Sequence, residues 1–177
     1  WSEDSLTSTP NEDSVQVEFE ETNLFSTNRF PGFDQKELGL RANVGVNYLR
    51  YDPSGWNFGA TVGRVFRNKD LGQFSTASGL AGKNSDWVSA FSLSFLDTFE
   101  LTNRTLFDSQ LNLSKNETGL GFTYRKLHAE ATYLRLEQDV VAGASDRRSE
   151  AALELVFTPN ENWTYLAEWR HDFVTGE

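Results

Sequence analysis

Along most of this chain apolar and polar residues alternate with a period of two, the spacing of strands whose two faces meet different surroundings. In Leu40–Arg50 the even positions are Leu40, Ala42, Val44, Val46 and Tyr48, and the odd ones are Arg41, Asn43, Gly45 and Asn47. In Trp56–Phe66 the side chains of Trp56, Phe58, Ala60 and Val62 oppose Asn57, Gly59, Thr61 and Gly63. The alternation recurs in Glu117–Arg125, Glu150–Phe157 and Trp163–Arg170. It is weaker in Val15–Glu21, Trp87–Phe95, Phe99–Asp108 and Leu127–Glu137. This pattern predicts about nine strands, most of them about nine to eleven residues long, and a tilted strand needs about that length to cross a bilayer. Two details depart from it. Leu134 and Leu136 fall opposite Leu127, Ala129, Ala131 and Tyr133, which predicts a bulge near Tyr133. Arg64 and Arg135 lie on otherwise apolar faces, near strand ends where a long cation can turn its head to water.

Period-two alternation is common to every antiparallel sheet with one wet face, so it leaves a soluble β-sandwich open. The connections discriminate better. In chain order they are long (22–39), short (51–55), long (67–86), short (96–98), medium (109–116), a near-immediate reversal (125–127), longer (138–147) and short (158–162). Meandering outer-membrane barrels sort their loops this way, with short turns on the periplasmic rim and longer loops outside. Tyr51, Trp56, Tyr124 and Trp163 flank the short turns, where aromatic side chains suit a membrane–water interface. The fold expected is an all-β, antiparallel transmembrane barrel. Residues 1–177 form part of a single barrel domain, with a polar lead-in over 1–14 and a long loop over 22–39.

Composition narrows the choice. No run approaches the roughly 18 consecutive apolar residues of a membrane helix. A net charge of -10 disfavours nucleic acid, whose phosphates call for an excess of Lys and Arg. With no cysteine there is no disulfide framework and no thiolate metal site. The absence of Met and of a leader pattern, together with the unclosed strand count, leads us to expect a piece of a larger barrel.

Little catalytic chemistry can be assembled. His128 and His171 lie on different predicted strands and read as rim or solvated residues. The stretch from Gly79 to Asn84 lacks the spacing and the Ser/Thr of a phosphate loop. A lipid hydrolase built from Ser92 or Ser94 with His128 is the one enzyme reading to name, and nothing in the pattern selects it. The expectation is a protein that is not an enzyme and carries no cofactor.

One connection is unlike a neutral loop. Asn23, Leu24, Phe25, Asn28, Arg29, Phe30, Pro31, Gly32, Phe33 and Asp34 put several apolar side chains where solvent would be costly, so they are expected to pack on a lumen wall or a partner. The run E-E-T-N-L-F-S-T-N-R-F-P-G-F-D, then L-R-A-N-V-G-V-N-Y, resembles the LptD/OstA family of lipopolysaccharide-assembly (organic solvent tolerance) proteins. The strands W-V-S-A-F-S-L-S-F, N-E-T-G-L-G-F-T-Y and W-T-Y-L-A-E-W-R-H-D continue the resemblance over essentially the whole chain.

The resemblance implies an outer-membrane translocon that inserts lipopolysaccharide into the outer leaflet. It also implies a lipoprotein partner, LptE, in the lumen, and periplasmic bridge proteins reached through a soluble N-terminal domain. On that basis Asn43, Asn47, Thr61, Glu117 and Arg125 are expected to line a wet interior, and Asn28–Asp34 to fold toward it. A general porin or substrate channel is the alternative that shares the same physical features.

Overall fold

A computed structural model describes residues 19–30, 36–136 and 147–176. Eight strands follow one another as neighbours in a single sheet: β1 (Arg41–Tyr51), β2 (Trp56–Arg67), β3 (Trp87–Phe95), β4 (Phe99–Phe107), β5 (Leu113–Tyr124), β6 (Leu127–Leu136), β7 (Arg148–Asn160) and β8 (Trp163–Asp172). Every pairing is antiparallel, so the chain is a meander and its loops fall alternately on two rims.

Register carries the alternation from strand to strand. Val62 stands between Val46 and Ser89, Leu101 between Leu93 and Leu120, and Leu153 between Ala131 and Trp169. Because a one-residue slip would turn a whole strand over, the shared phase is what gives the sheet one apolar and one polar face. Val44, Val46, Val62, Leu120 and Tyr165 on the apolar face are all exposed. Near the short-turn rim that face carries Trp56, Phe95, Phe99 and Phe122, each directly opposite the next. Phe157 and Tyr165 continue the row as a pair. Toward the long-loop rim stand Phe66, Trp87, Phe107, Tyr133 and Trp169. Trp56 and Phe66 are ten residues apart on β2; that is about 33 Å of strand, or about 25 Å of membrane normal at a 40° tilt, the height of a barrel's apolar band.

Several expectations change. The strand expected at Val15–Glu21 is absent from its described part: Phe19 and Glu20 are not in a strand and Glu21–Asn23 is a 3-10 turn, while residues 15–18 lie outside the described ones. Phe19 instead joins the core and donates its N–H to the Ser78 carbonyl. No bulge occurs near Tyr133, because β6 keeps register with both neighbours and a slip would have to break two ladders. Leu134 and Leu136 therefore stay on the polar face, opposite Glu117 and Lys115. The irregularities lie elsewhere, at Leu106/Phe107 and Phe157/Asn160. β5 begins at Leu113 rather than Glu117, since the Asp108 carboxylate accepts from the backbone of Gln110 and Asn112 and tightens the turn before it. Arg64 departs from the expected cation turned to water: it is buried, donates to the Ser85 carbonyl and Ser109, and lies 5.3 Å over Trp87. The longer connection expected at 138–147 falls almost wholly outside the described residues.

The buried core is small and one-sided. Phe19, Leu24, Phe30, Val65, Leu80, Val88 and Leu106 form it, and the three wall residues, Val65, Val88 and Leu106, are on the polar face near the long-loop rim. A sandwich would bury its core between two sheets. Here the polar face is covered instead by residues 19–30 and by the connection from β2 to β3.

Candidate functional site

The site is the cap made where residues 19–30 lie on the polar face of β1–β4. Its shape begins with two glycines. Gly45 and Gly63 are direct cross-strand partners, and a Cβ on either would stand 2.6 or 2.2 Å from Leu24 Cδ2. The absent side chains are therefore the socket for Leu24, which has no exposed surface. Phe25 extends from the same turn over Gly45 and stays 59% exposed, so it presents an aromatic ring to the open side of the cap. Phe30 stacks on Phe74 of the β2–β3 connection at 4.9 Å.

Charge supplies the second fastening. Arg41 and Arg67, at the long-loop ends of β1 and β2, face each other directly, an arrangement that repels unless an anion intervenes. Glu37 intervenes: its fully buried carboxylate lies 2.8 Å from Arg67, 3.6 Å from Arg41 and 2.6 Å from Arg29 of the inner segment. Each guanidinium also donates to a carbonyl, Arg29 to Leu24, Arg41 to Thr27 and Arg67 to Leu80. Burial pulls the Arg29 pKa below its ordinary value while the Glu37 charge opposes that shift. Arginine stays protonated in proteins, so three cations share one carboxylate. Asn28 orients the pair, accepting from the Glu37 N–H at 3.0 Å and donating to the Phe30 carbonyl. At the segment's start Glu21 reaches Arg104 of β4 at 2.9 Å, and the Asn23 side chain accepts from the Glu20 N–H.

Of the residues singled out by sequence, Asn23, Leu24, Phe25, Asn28, Arg29 and Phe30 come together here. Pro31, Gly32, Phe33 and Asp34 lie outside the described residues. Asn43, Asn47, Thr61 and Glu117 are on the polar face: Asn47 donates to Thr61, and Glu117 stands opposite Arg104. Arg125 is set apart in the β5–β6 turn at φ 54°, its guanidinium 5.2 Å over the Tyr124 ring. Glu37, Arg41, Arg67, Gly45 and Gly63 were not singled out as a unit. Their signal was two arginines at strand ends on a polar face, with a carboxylate four residues before the first.

Below the cap a groove of about 270 Å³ runs over β2–β5, bordered by Glu21, Thr61, Ser92, Thr102, Arg104 and Glu117. Its lining mixes the hydroxyls of Thr61, Ser92 and Thr102 with apolar Leu49, Ala60 and Phe91, so it offers hydrogen bonds to a polyhydroxylated chain beside apolar surface. Ser92 and Ser94 are three strands from His128, about 14 Å at ordinary strand spacing, too far for a nucleophile and its base. The His128 ring nitrogen instead contacts Thr123 at 2.8 Å.

No curated protein gives a significant match to the chain. The family model described as LptD, LPS transport system D, matches residues 3–163, and the chain accordingly belongs to this family of outer-membrane β-barrels with a role in lipopolysaccharide transport.

Proposed function

We propose that these strands form part of the wall of a translocon that inserts lipopolysaccharide into the outer leaflet of the outer membrane. The polar face turns to the lumen and the apolar face to lipid. The observation that carries this reading is the seating of residues 19–30 on the polar face, which caps one end of the wall and leaves beneath it a groove bearing Thr61, Ser92 and Thr102. Such a groove suits the saccharide part of an amphiphile, while the exposed valines and aromatics opposite suit acyl chains. Asn43, Asn47, Thr61 and Glu117 line the interior in this reading. Phe25 faces what occupies it, either lipopolysaccharide in passage or a lodged lipoprotein of the LptE type, and the Asn28–Asp34 stretch helps to seat that occupant. Bridge proteins in the periplasm would reach the barrel through a soluble domain elsewhere in the full protein. No bond is made or broken; the work is to provide a wet path bounded by a wall stable in lipid.

The test is photo-crosslinking in living cells, with a photoreactive phenylalanine in the full-length protein at Phe25 or Phe33. Capture of lipopolysaccharide or of the lipoprotein is expected at Phe25, and the same probe at buried Phe30 should link only within the chain. A folded barrel that captures neither from Phe25 nor from Phe33, or one that conducts ions freely after reconstitution, would count against the reading.

A further inference from the structure

We infer that Glu37 is the positioning residue of the inner segment, a pin without which residues 19–30 leave the wall. The inference deepens the reading above and rests on it for its functional consequence alone. The segment is held through Leu24 in its glycine socket, through Glu21 on Arg104, through the Thr27 carbonyl that accepts from Arg41, and through Arg29 on Glu37. Of these, the Arg29 contact cannot stand by itself, because Arg29 enters a space already occupied by Arg41 and Arg67. Among the described residues Glu37 is the carboxylate in ion-pair contact with all three. It belongs neither to the segment nor to the strands but to the lead-in before β1, and its own N–H is tied to Asn28.

Its side chain has no exposed surface and that of Arg67 only 6%, so water cannot replace the missing charge if the carboxylate is lost. Three unscreened guanidinium groups would then repel, and the one carried on a loop is free to leave. The wall arginines cannot. Loss of Glu37 should therefore unseat the segment while leaving the strand ladders intact, which distinguishes a pin from a core residue.

The experiment uses the full-length protein carrying Glu21→Cys and Arg104→Cys, whose sulfhydryls a short bismaleimide joins when the segment is seated. Heat-resistant electrophoretic migration reports the folded barrel, and entry of a large hydrophilic antibiotic and surface lipopolysaccharide report function. Adding Glu37→Gln should cut the crosslink at least about tenfold in folded barrels, since removing one partner of a buried ion pair costs far more than a tenfold shift requires. Arg29→Met, which leaves Glu37 to balance Arg41 and Arg67, should also release the segment and decides the matter if Glu37→Gln does not assemble. Folded barrels of either variant that crosslink as well as the background overturn the inference. A lost crosslink with unchanged antibiotic entry and lipopolysaccharide delivery upholds the pin and instead overturns the role proposed for the segment.

Discussion

Glycine acts here through what it leaves out. Gly63 and Gly121 both lie on the polar face within strands, yet they predict opposite outcomes. A Cβ at Gly63 would stand 2.2 Å from Leu24 and 2.8 Å from the Val44 carbonyl, whereas at Gly121 the nearest atom is Glu100 Cβ at an ordinary 3.5 Å. Gly63→Val should cost about 1–3 kcal/mol, as overpacking of a closed site does. Gly121→Ala should be neutral or slightly stabilising, since alanine replaces the least restricted residue in a strand. Urea unfolding of the full protein in detergent separates the two.

Asp86, just before β3, makes a second case. Burial raises its pKa above 3.8, Asp108 adds to the rise, and the Ser114 hydrogen bond and Arg64 oppose it. The folded state thus holds this proton more tightly than the unfolded chain. Its contribution therefore grows more favourable as pH falls through the raised folded value toward 3.8. Asp86→Asn should remove that slope without loss of stability at neutral pH, measured by unfolding across acidic pH.

Adjacent positions of one strand should respond in opposite ways. On the polar face Glu130, Glu154 and Glu168 stand directly opposite one another across β6, β7 and β8. Like charges so placed repel, and Glu154→Gln should stabilise the barrel by about 0.2–1 kcal/mol. Leu155, the next residue, lies between Ala129 and Ala167 on the apolar face. Leu155→Arg places a charge in lipid and should cost about 2–4 kcal/mol near the bilayer midplane. Unfolding measured in lipid bilayers tests both, and a similar response at the two positions would refute the assignment of faces. The short turns belong to this scale as well. Leu96 and Asp97 both adopt positive φ, the conformation of a two-residue hairpin whose twist matches its strands, and neither is the glycine that pattern reading looks for.

The whole sheet has a large apolar surface and little core. β1 and β8 each pair with one neighbour among the described strands, which leaves two open edges beside exposed Val44, Val46, Trp163, Tyr165 and Trp169. Unpaired edges and an exposed apolar face favour association in water. These 177 residues alone in detergent-free buffer are expected to aggregate, as read by light scattering. A stable monomer there would argue against a lipid-facing surface.

The strands were legible in the sequence because their signal is local: a residue's face is set by its parity, and long and short connections sort themselves by rim. The family was legible from the Asn23–Asp34 run and its neighbours. What only tertiary structure decided is how that run is held. Glu37, Arg41 and Arg67 become one cluster through the pairing of β1 with β2, and Leu24 finds its socket because that pairing sets Gly45 beside Gly63. Phe19 looked like a strand residue by parity, yet the hydrophobic pocket and the Ser78 carbonyl drew it into the cap. Parity reports which way a side chain points; it carries no information on what the rest of the chain brings to meet it.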